Sequence, residues 1–127
     1  MKLFINLSNH PSSGWTPEQM NAALEMVNNA PVIDMQFPLI DPEMNTKEVQ
    51  KLAKNVFIKI CKLINEYDAD QVILHVMGEM CFTYKIVEFS KQSNSIICVA
   101  STTKRVVSED ANGSKFSKFE FVQFRKY

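Results

Sequence analysis

The stretch Val72-Ile73-Leu74-His75-Val76-Met77-Gly78-Glu79-Met80 decides the fold of this chain. Its apolar first half is continuous rather than alternating, which is typical of a parallel strand that is buried on both faces. The run stops at Gly78, and a helical pattern begins directly after it. Ligands bind outside the carboxyl ends of such strands, so this junction is the first place where we expect a site.

The remainder of the chain alternates strand and helix patterns until its last quarter. Strands appear as short apolar runs, helices as apolar positions three or four residues apart, and Asn112-Gly113 favours a hairpin turn. This order predicts one α/β domain over residues 1–127, with a mostly parallel sheet, helices on both faces and a C-terminal β-hairpin. The predicted strands are 2–7, 31–35, 70–76 and 96–100, the helices 17–27, 46–67 and 80–92, and the hairpin strands 104–108 and 116–124.

Composition excludes several classes of function. The 127 residues are 46% hydrophobic and 22% charged, with zero formal net charge. A surface for duplex nucleic acid carries a basic excess, so we expect no duplex binding. No apolar stretch approaches the length of a membrane span, and Met1–Leu7 is too short for a secretion signal. We therefore expect a cytoplasmic protein with no membrane contact, in which a small anionic ligand still fits a local pocket.

Three segments are predicted to be loops that follow strands at one edge of the sheet: Ser8 to Trp15, Met77 to Thr83 and Ser101 to Arg105. Free backbone N–H groups at the start of the helix after Gly78, together with the helix dipole, favour a phosphate. The third segment is rich in hydroxyls and carries two cations. We therefore predict a pocket for an anionic, hydroxyl-bearing ligand such as a nucleotide.

Three ring-bearing side chains in or near these segments each allow two interpretations. His10 could orient a phosphate or protonate a leaving oxygen, or it could be a turn histidine bonded to its own backbone. Trp15 could stack on a base, or hold the first helix against the core. His75 lies inside the buried strand, where a satisfied core or strand-end histidine is the favoured interpretation.

The other two segments offer a glycine, a carboxylate, two hydroxyls and a guanidinium. Gly78 lets a ligand approach the backbone closely. Glu79 could accept a ribose hydroxyl or act as a base, or it could stabilise the helix start by its charge. Thr102 and Thr103 could bind the ligand and Arg105 a phosphate, or the threonines could satisfy the loop while Arg105 pairs with a surface acid.

Motifs for other chemistries are absent from the sequence. The two histidines are isolated, no two cysteines are closely spaced, and no carboxylates have the spacing of metal ligands. The chain has neither a Walker loop nor a dinucleotide fingerprint, and no nucleophile elbow. We expect no metal and no cofactor.

Four short motif groups follow one another along the chain: Ile5-Asn6-Leu7-Ser8-Asn9-His10-Pro11 with Thr16-Pro17-Glu18-Gln19, Met77-Gly78-Glu79 with Thr83-Tyr84-Lys85-Ile86-Val87, Ala100-Ser101-Thr102-Thr103-Lys104-Arg105, and Phe121-Val122-Gln123-Phe124-Arg125-Lys126-Tyr127. In this order they resemble the small CRISPR-associated proteins of type III systems that act as ring nucleases. The resemblance spans nearly the whole chain. The proline-containing segment after the second strand and Cys81 depart from the family's pattern.

The resemblance implies a Rossmann-like homodimer that serves antiviral defence by binding cyclic oligoadenylate, typically the four-membered ring. A ring nuclease cleaves this second messenger and ends the signal. A ribose 2′-hydroxyl attacks the adjacent phosphorus and leaves a 2′,3′-cyclic phosphate, without a metal. The alternatives are a sponge or sensor that binds the ring without cutting it, and a protein-interaction domain that has no small ligand.

The resemblance also assigns roles to the three segments. The first would contact one edge of the ring, the second would lie beneath a phosphate, and the third would clamp the opposite side. His10 would serve as leaving-group acid or orienter, and Arg105 would stabilise charge. The predicted catalytic residues are His10, Glu79 and Arg105, and the predicted ligand-binding residues are Ser8, Asn9, Trp15, Gly78, Thr83, Thr102 and Thr103.

Overall fold

Strands and helices alternate along the chain in the computed structural model, which describes residues 1–127. A short 3-10 turn precedes the first helix. The elements in chain order are β1 (Lys2–Ser8), α1 (Pro17–Met26), β2 (Val32–Gln36), α2 (Thr46–Glu66), β3 (Gln71–Met77), α3 (Met80–Ser90), β4 (Ile96–Glu109) and β5 (Lys115–Lys126).

The sheet has the strand order β2-β1-β3-β4-β5. The first four strands run parallel, and β5 pairs with β4 in the antiparallel direction. The predicted α/β fold, Rossmann-like with a C-terminal hairpin, is therefore confirmed. The chain moves from β1 to β2 on one side and then returns past β1 to β3, so the order reverses between β1 and β3. Ligands in open α/β sheets bind at such a switch point.

Helices cover the two faces of the sheet unequally. The larger core cluster lies under α2 and α3, which bury residues such as Val56, Ile60 and Phe82 against one face. The smaller cluster lies under α1 and contains Phe4, Ala23, Val27, Ile73 and Val99. Because α1 has only ten residues, it covers only the amino half of its face. The turn before α1 lies over part of the carboxyl half, where Trp15 packs on His75.

The prediction of a loop at Ser101 to Arg105 is wrong, whereas the hairpin strand predicted over residues 104–108 is confirmed. This segment continues β4 without a break and pairs with β5 throughout, apart from a bulge between Thr102 and Thr103. Thr102 and Thr103 are β-branched and favour a strand. The partner strand supplies the hydrogen bonds that a loop would lack.

The end of the hairpin extends away from the rest of the sheet. Strand β4 pairs with β3 only as far as Val99, and beyond that its sole partner is β5. We call residues 103–121 the arm. Thr103 and Arg105 lie opposite Phe121 and Phe119 in the register, and directly opposed residues share one face. No helix in the structure is both long enough and apolar enough to cross a bilayer.

Gly78 is required by packing. A β-carbon at this position would overlap the ring of Phe37, which is itself packed edge-to-face against Phe82. The glycine therefore allows the chain to turn from β3 into α3 directly beside this aromatic pair.

We predict that Gly78→Ala lowers the free energy of unfolding by about 1–3 kcal/mol, the usual cost of overpacking. Gly14→Ala is the matched control, because a β-carbon there has no neighbour within 4 Å, and it should change stability by less than about 0.5 kcal/mol. Urea denaturation measures both. Equal stability of the two variants would contradict the packing role of Gly78.

Candidate functional site

The carboxyl half of the face that α1 leaves uncovered forms a cleft of about 700 Å³. It lies at the switch point between β1 and β3, and the arm forms one wall. Its volume falls within the range of small-molecule sites, about 300–1,000 Å³. The cleft is lined by Ser8, Asn9, His10, Gly14, Trp15, Thr16, Gln19, His75, Met77, Gly78, Ser101, Thr103, Phe119 and Phe121.

Alternation along the strands explains why the cleft is polar. Side chains two residues apart point to the same face. On this face the side chains of β1 change from apolar Phe4 to polar Asn6 and Ser8, and those of β3 change from apolar Ile73 to polar His75. The apolar positions pack under α1, whereas the polar positions lie beyond the cover of that helix.

The buried amide of Asn6 joins three neighbouring strands beside this cleft. Asn6 lies in register with Asp34 on β2 and with His75 on β3. Its Nδ2 donates to Asp34 Oδ1 at 2.8 Å and to the His10 carbonyl at 2.9 Å. Its Oδ1 accepts from Ser8 Oγ at 2.8 Å and lies 2.8 Å from His75 Nδ1. Every polar atom of the Asn6 side chain therefore has a partner.

These contacts fix the tautomer of neutral His75. A carboxylate and a carbonyl only accept hydrogen bonds, so the amide nitrogen of Asn6 must face Asp34 and His10. The amide oxygen then faces His75, and Nδ1 must carry the proton that it accepts. Nε2 is left with a free lone pair, since the tautomer is set by the hydrogen bond of the other ring nitrogen.

His75 has an unsatisfied atom although it is only 2% exposed. Its Nε2 is buried and has no hydrogen-bond partner. The ring packs edge-to-face against Trp15 and Phe124, with centroid distances of 5.7 and 5.3 Å. An unpaired buried polar atom costs about 1–3 kcal/mol.

Two pKa shifts accompany this network. Burial, and to a lesser extent the neighbouring His10, lowers the pKa of His75 from 6.5 to about 4. Burial raises the pKa of Asp34, but hydrogen bonds from Asn6 and Ser12 outweigh it and leave that pKa below its ordinary value of 3.8. At neutral pH His75 is therefore uncharged and Asp34 is ionised.

The turn after β1 presents three of the predicted residues to the cleft: Ser8, Asn9 and His10. The backbone of His10 is fixed, because its carbonyl accepts from Asn6 Nδ2 at 2.9 Å and from Trp15 Nε1 at 3.2 Å. The imidazole of His10 is exposed at the rim. Trp15 lines the same cleft and also packs on Phe4 of the core. It therefore contacts the core as one interpretation expects, and stacking on a base stays a prediction.

The residues around the start of α3 are divided between the cleft and other surfaces. Gly78 lines the cleft. Glu79 caps its own helix, since its carboxylate accepts from the backbone N–H of Phe82 at 2.8 Å and of Cys81 at 3.3 Å. A phosphate can use these donors only after the carboxylate has moved. Thr83 is buried in an adjacent small pocket of about 310 Å³, and its hydroxyl has no partner.

The three predicted residues of β4, Thr102, Thr103 and Arg105, occupy different positions relative to the cleft. Thr103 lines the cleft. The hydroxyl of Thr102 donates to the Gln123 carbonyl at 2.9 Å and accepts from the same residue's N–H at 3.2 Å, so it serves the bulge. Arg105 is exposed on the same face of the arm as Thr103, about 7 Å further along the strand.

Several residues of the site were not foreseen from the sequence. From the sequence, a satisfied core or strand-end histidine is the favoured interpretation of His75, and neither Asn6 nor Asp34 is predicted as a site residue. The signal that could have found them is the change from apolar to polar at alternate positions of β1 and β3. The aromatic wall of Phe119 and Phe121 depends on the strand continuation described above.

The comparisons with known proteins concern the chain as a whole. A family model described as "Uncharacterized protein MJ1673 family" matches residues 2–125. No curated protein matches the chain. The match thus includes every residue of the cleft, while the description of the family gives no activity.

The lowered pKa of His75 predicts a pH-dependent stability. Its folded-state pKa lies below the unfolded value, so its contribution is fully present above pH 6.5 and is lost as the pH falls toward 4. The loss amounts to about 3 kcal/mol. Asp34 acts at lower pH, because its stabilising effect is lost only as the pH falls below 3.8.

Urea denaturation at pH 7 and at pH 4 measures this dependence. His75→Asn keeps a donor near the Nδ1 position but cannot titrate, so we expect it to lose less stability than the wild-type protein between the two pH values. An equal loss in both proteins would assign the pH dependence to other groups.

Proposed function

We propose that this chain, which belongs to the Uncharacterized protein MJ1673 family, binds cyclic oligoadenylate in its cleft and cleaves it as a ring nuclease of type III CRISPR signalling. The observation that carries the proposal is the convergence of Ser8, Asn9, His10, Gly78 and Thr103 in one cleft at the switch point of the sheet. A cytoplasmic location belongs to the same proposal, since the ligand would be an intracellular messenger.

The chemistry of the cleft suits a nucleotide. Phe119, Phe121 and Trp15 offer aromatic surfaces, and stacking on aromatic side chains is the common means of holding unpaired bases. Hydroxyls of Ser8 and Thr103 can bond to sugar or phosphate oxygens. Arg105 adds a cation on the face of the arm that carries Thr103, and its guanidinium can pair with a phosphate in two hydrogen bonds.

Cleavage by this route requires positioning more than it requires a strong base. The ribose 2′-oxygen bonds to the adjacent phosphorus, and the bond from phosphorus to the 5′-oxygen breaks. The 2′-hydroxyl gives its proton to water, and the 5′-oxygen takes up a proton. We assign donation of the proton to His10, whose ring is exposed at the rim. We assign stabilisation of the phosphorane charge to Arg105.

One observation favours the alternative of binding without cleavage. Glu79, one of the three predicted catalytic residues, is held at the start of α3 by two backbone N–H groups. A protein that lacks this carboxylate in its cleft could hold the ring intact as a sponge or sensor.

The arm supports a homodimer. Phe119 is 72% exposed and Val107 is 60% exposed, and both lie on the face of the arm that carries Thr103. Apolar side chains grouped on an exposed surface are typical of protein interfaces. A twofold axis beside this face would bring two clefts together and match a twofold-symmetric ring.

Incubation of the purified protein with excess cyclic tetra-adenylate, followed by chromatography, tests the activity. We expect linear products that end in a 2′,3′-cyclic phosphate, released over many turnovers. A ring that is bound but remains intact would favour the sponge or sensor, and a ring that is neither bound nor cut would contradict the proposal.

Two substitutions test the assigned roles. His10→Ala should slow cleavage by about 100-fold, and Arg105→Ala by about tenfold or more, through loss of a charge-assisted contact. Lys104→Ala is the matched control, because Lys104 is a neighbouring cation on the opposite face of the arm. Equal rates for Arg105→Ala and Lys104→Ala would remove Arg105 from the mechanism.

Analytical ultracentrifugation tests the dimer. We expect Val107→Glu to shift the wild-type dimer to a monomer, because a carboxylate would be buried without a partner. Phe116→Glu, on the other face of the arm, should leave the dimer unchanged. A monomeric wild-type protein would contradict this part of the proposal.

A further inference from the structure

His75 is the one buried side chain of the cleft that has an unused hydrogen-bonding atom. It is 2% exposed and lines the cleft. Its Nδ1 is engaged by Asn6 Oδ1 at 2.8 Å, whereas its Nε2 has no partner. Buried polar groups are almost always paired in folded proteins, so an exception in a ligand cleft points to a partner supplied by the ligand.

The network of Asn6 determines which kind of partner fits. The amide nitrogen is turned toward Asp34 and the carbonyl of His10, so its oxygen holds the proton of neutral His75 on Nδ1. Nε2 can then only accept a hydrogen bond. A phosphate oxygen, which is itself an acceptor at neutral pH, is excluded from this position.

The side chains around His75 further restrict which chemical group can donate to Nε2. Phe4, Trp15 and Phe124 pack around its ring, with centroid distances from 5.3 to 6.4 Å. One hydrogen-bond acceptor, His75 Nε2, therefore lies among aromatic rings. This combination suits a nucleobase with an amino group, because a base stacks on aromatic side chains and is identified by hydrogen bonds to its edge. A sugar hydroxyl suits the polar rim instead.

From this geometry, and resting on the proposed function, we infer that His75 Nε2 accepts a hydrogen bond from the exocyclic amine of an adenine and selects that base. Hypoxanthine has a carbonyl where adenine has its exocyclic amine. Its oxygen would face the lone pair of Nε2, and two acceptors repel each other. His75 is therefore a specificity-determining residue, and Asp34 and Asn6 are the residues that position it.

Access to Nε2 requires a movement of one neighbour. Phe4 is fully buried and Phe124 belongs to a strand. Trp15 lies in the turn before α1, is only partly buried, and its indole is held by a single hydrogen bond to the His10 carbonyl. We expect the Trp15 ring to turn away from His75 when the base enters and to stack on that base. It is the only tryptophan of the chain, so its fluorescence reports the event.

The test compares the affinities of cyclic tetra-adenylate and cyclic tetra-inosinate, measured by Trp15 fluorescence and calorimetry. The wild-type protein should prefer the adenine ring by about tenfold or more. His75→Asn keeps a donor for Asn6 but has no atom at the Nε2 position, so it should bind both rings with similar affinity. Ser90→Ala, which removes a buried hydroxyl outside the cleft, should keep the wild-type preference.

A wild-type preference that persists in His75→Asn would overturn this inference alone. Failure of the wild-type protein to bind either ring would overturn the proposed function and this inference with it. If His75→Asn does not fold, ¹⁵N-histidine spectra of the wild-type protein decide the matter. Saturation with cyclic tetra-adenylate should shift the Nε2 resonance of His75, and an unchanged resonance in the bound state would refute the assignment.

Discussion

The side-chain amide of Asn6 is the constraint on which the cleft depends. It is buried in the central part of β1 and bonds to β2 through Asp34, to β3 through His75, and to the following turn through the His10 carbonyl. A buried amide must satisfy both its donors and its acceptor, and only one orientation does so here. The same contacts therefore position the turn, set the tautomer of His75 and leave one acceptor at the floor of the cleft.

This network lies beside a cleft because α1 is too short to cover the carboxyl half of the sheet face. A longer helix would cover the carboxyl half of the sheet face and would require apolar residues there. Instead, the face changes from Phe4 to Asn6 on β1 and from Ile73 to His75 on β3 at the level where α1 begins. The apolar core lies in the amino half and on the opposite face, so the polar side chains of the carboxyl half are available for binding.

The sequence allowed the fold to be predicted because periodicity and turn residues act locally. Prediction from the sequence fails where the local structure depends on a segment that is distant along the chain. Ser101 to Arg105 reads as a loop until β5 is present as its pairing partner. Glu79 is at the expected helix start, but its own carboxylate takes the N–H groups that a phosphate was predicted to use. His75 reads as a core residue unless Asn6 is known to be its neighbour in the register, with Asp34 on the far side of Asn6.

The most direct test of this account is the protonation of the His75 ring in the ligand-free protein. Spectra of ¹⁵N-histidine-labelled protein at pH 7, assigned with His10→Asn because the chain has only two histidines, report which nitrogen carries the proton. The account predicts a neutral ring with its proton on Nδ1 and a free lone pair on Nε2. A proton on Nε2, or exchange between the two nitrogens, would contradict it.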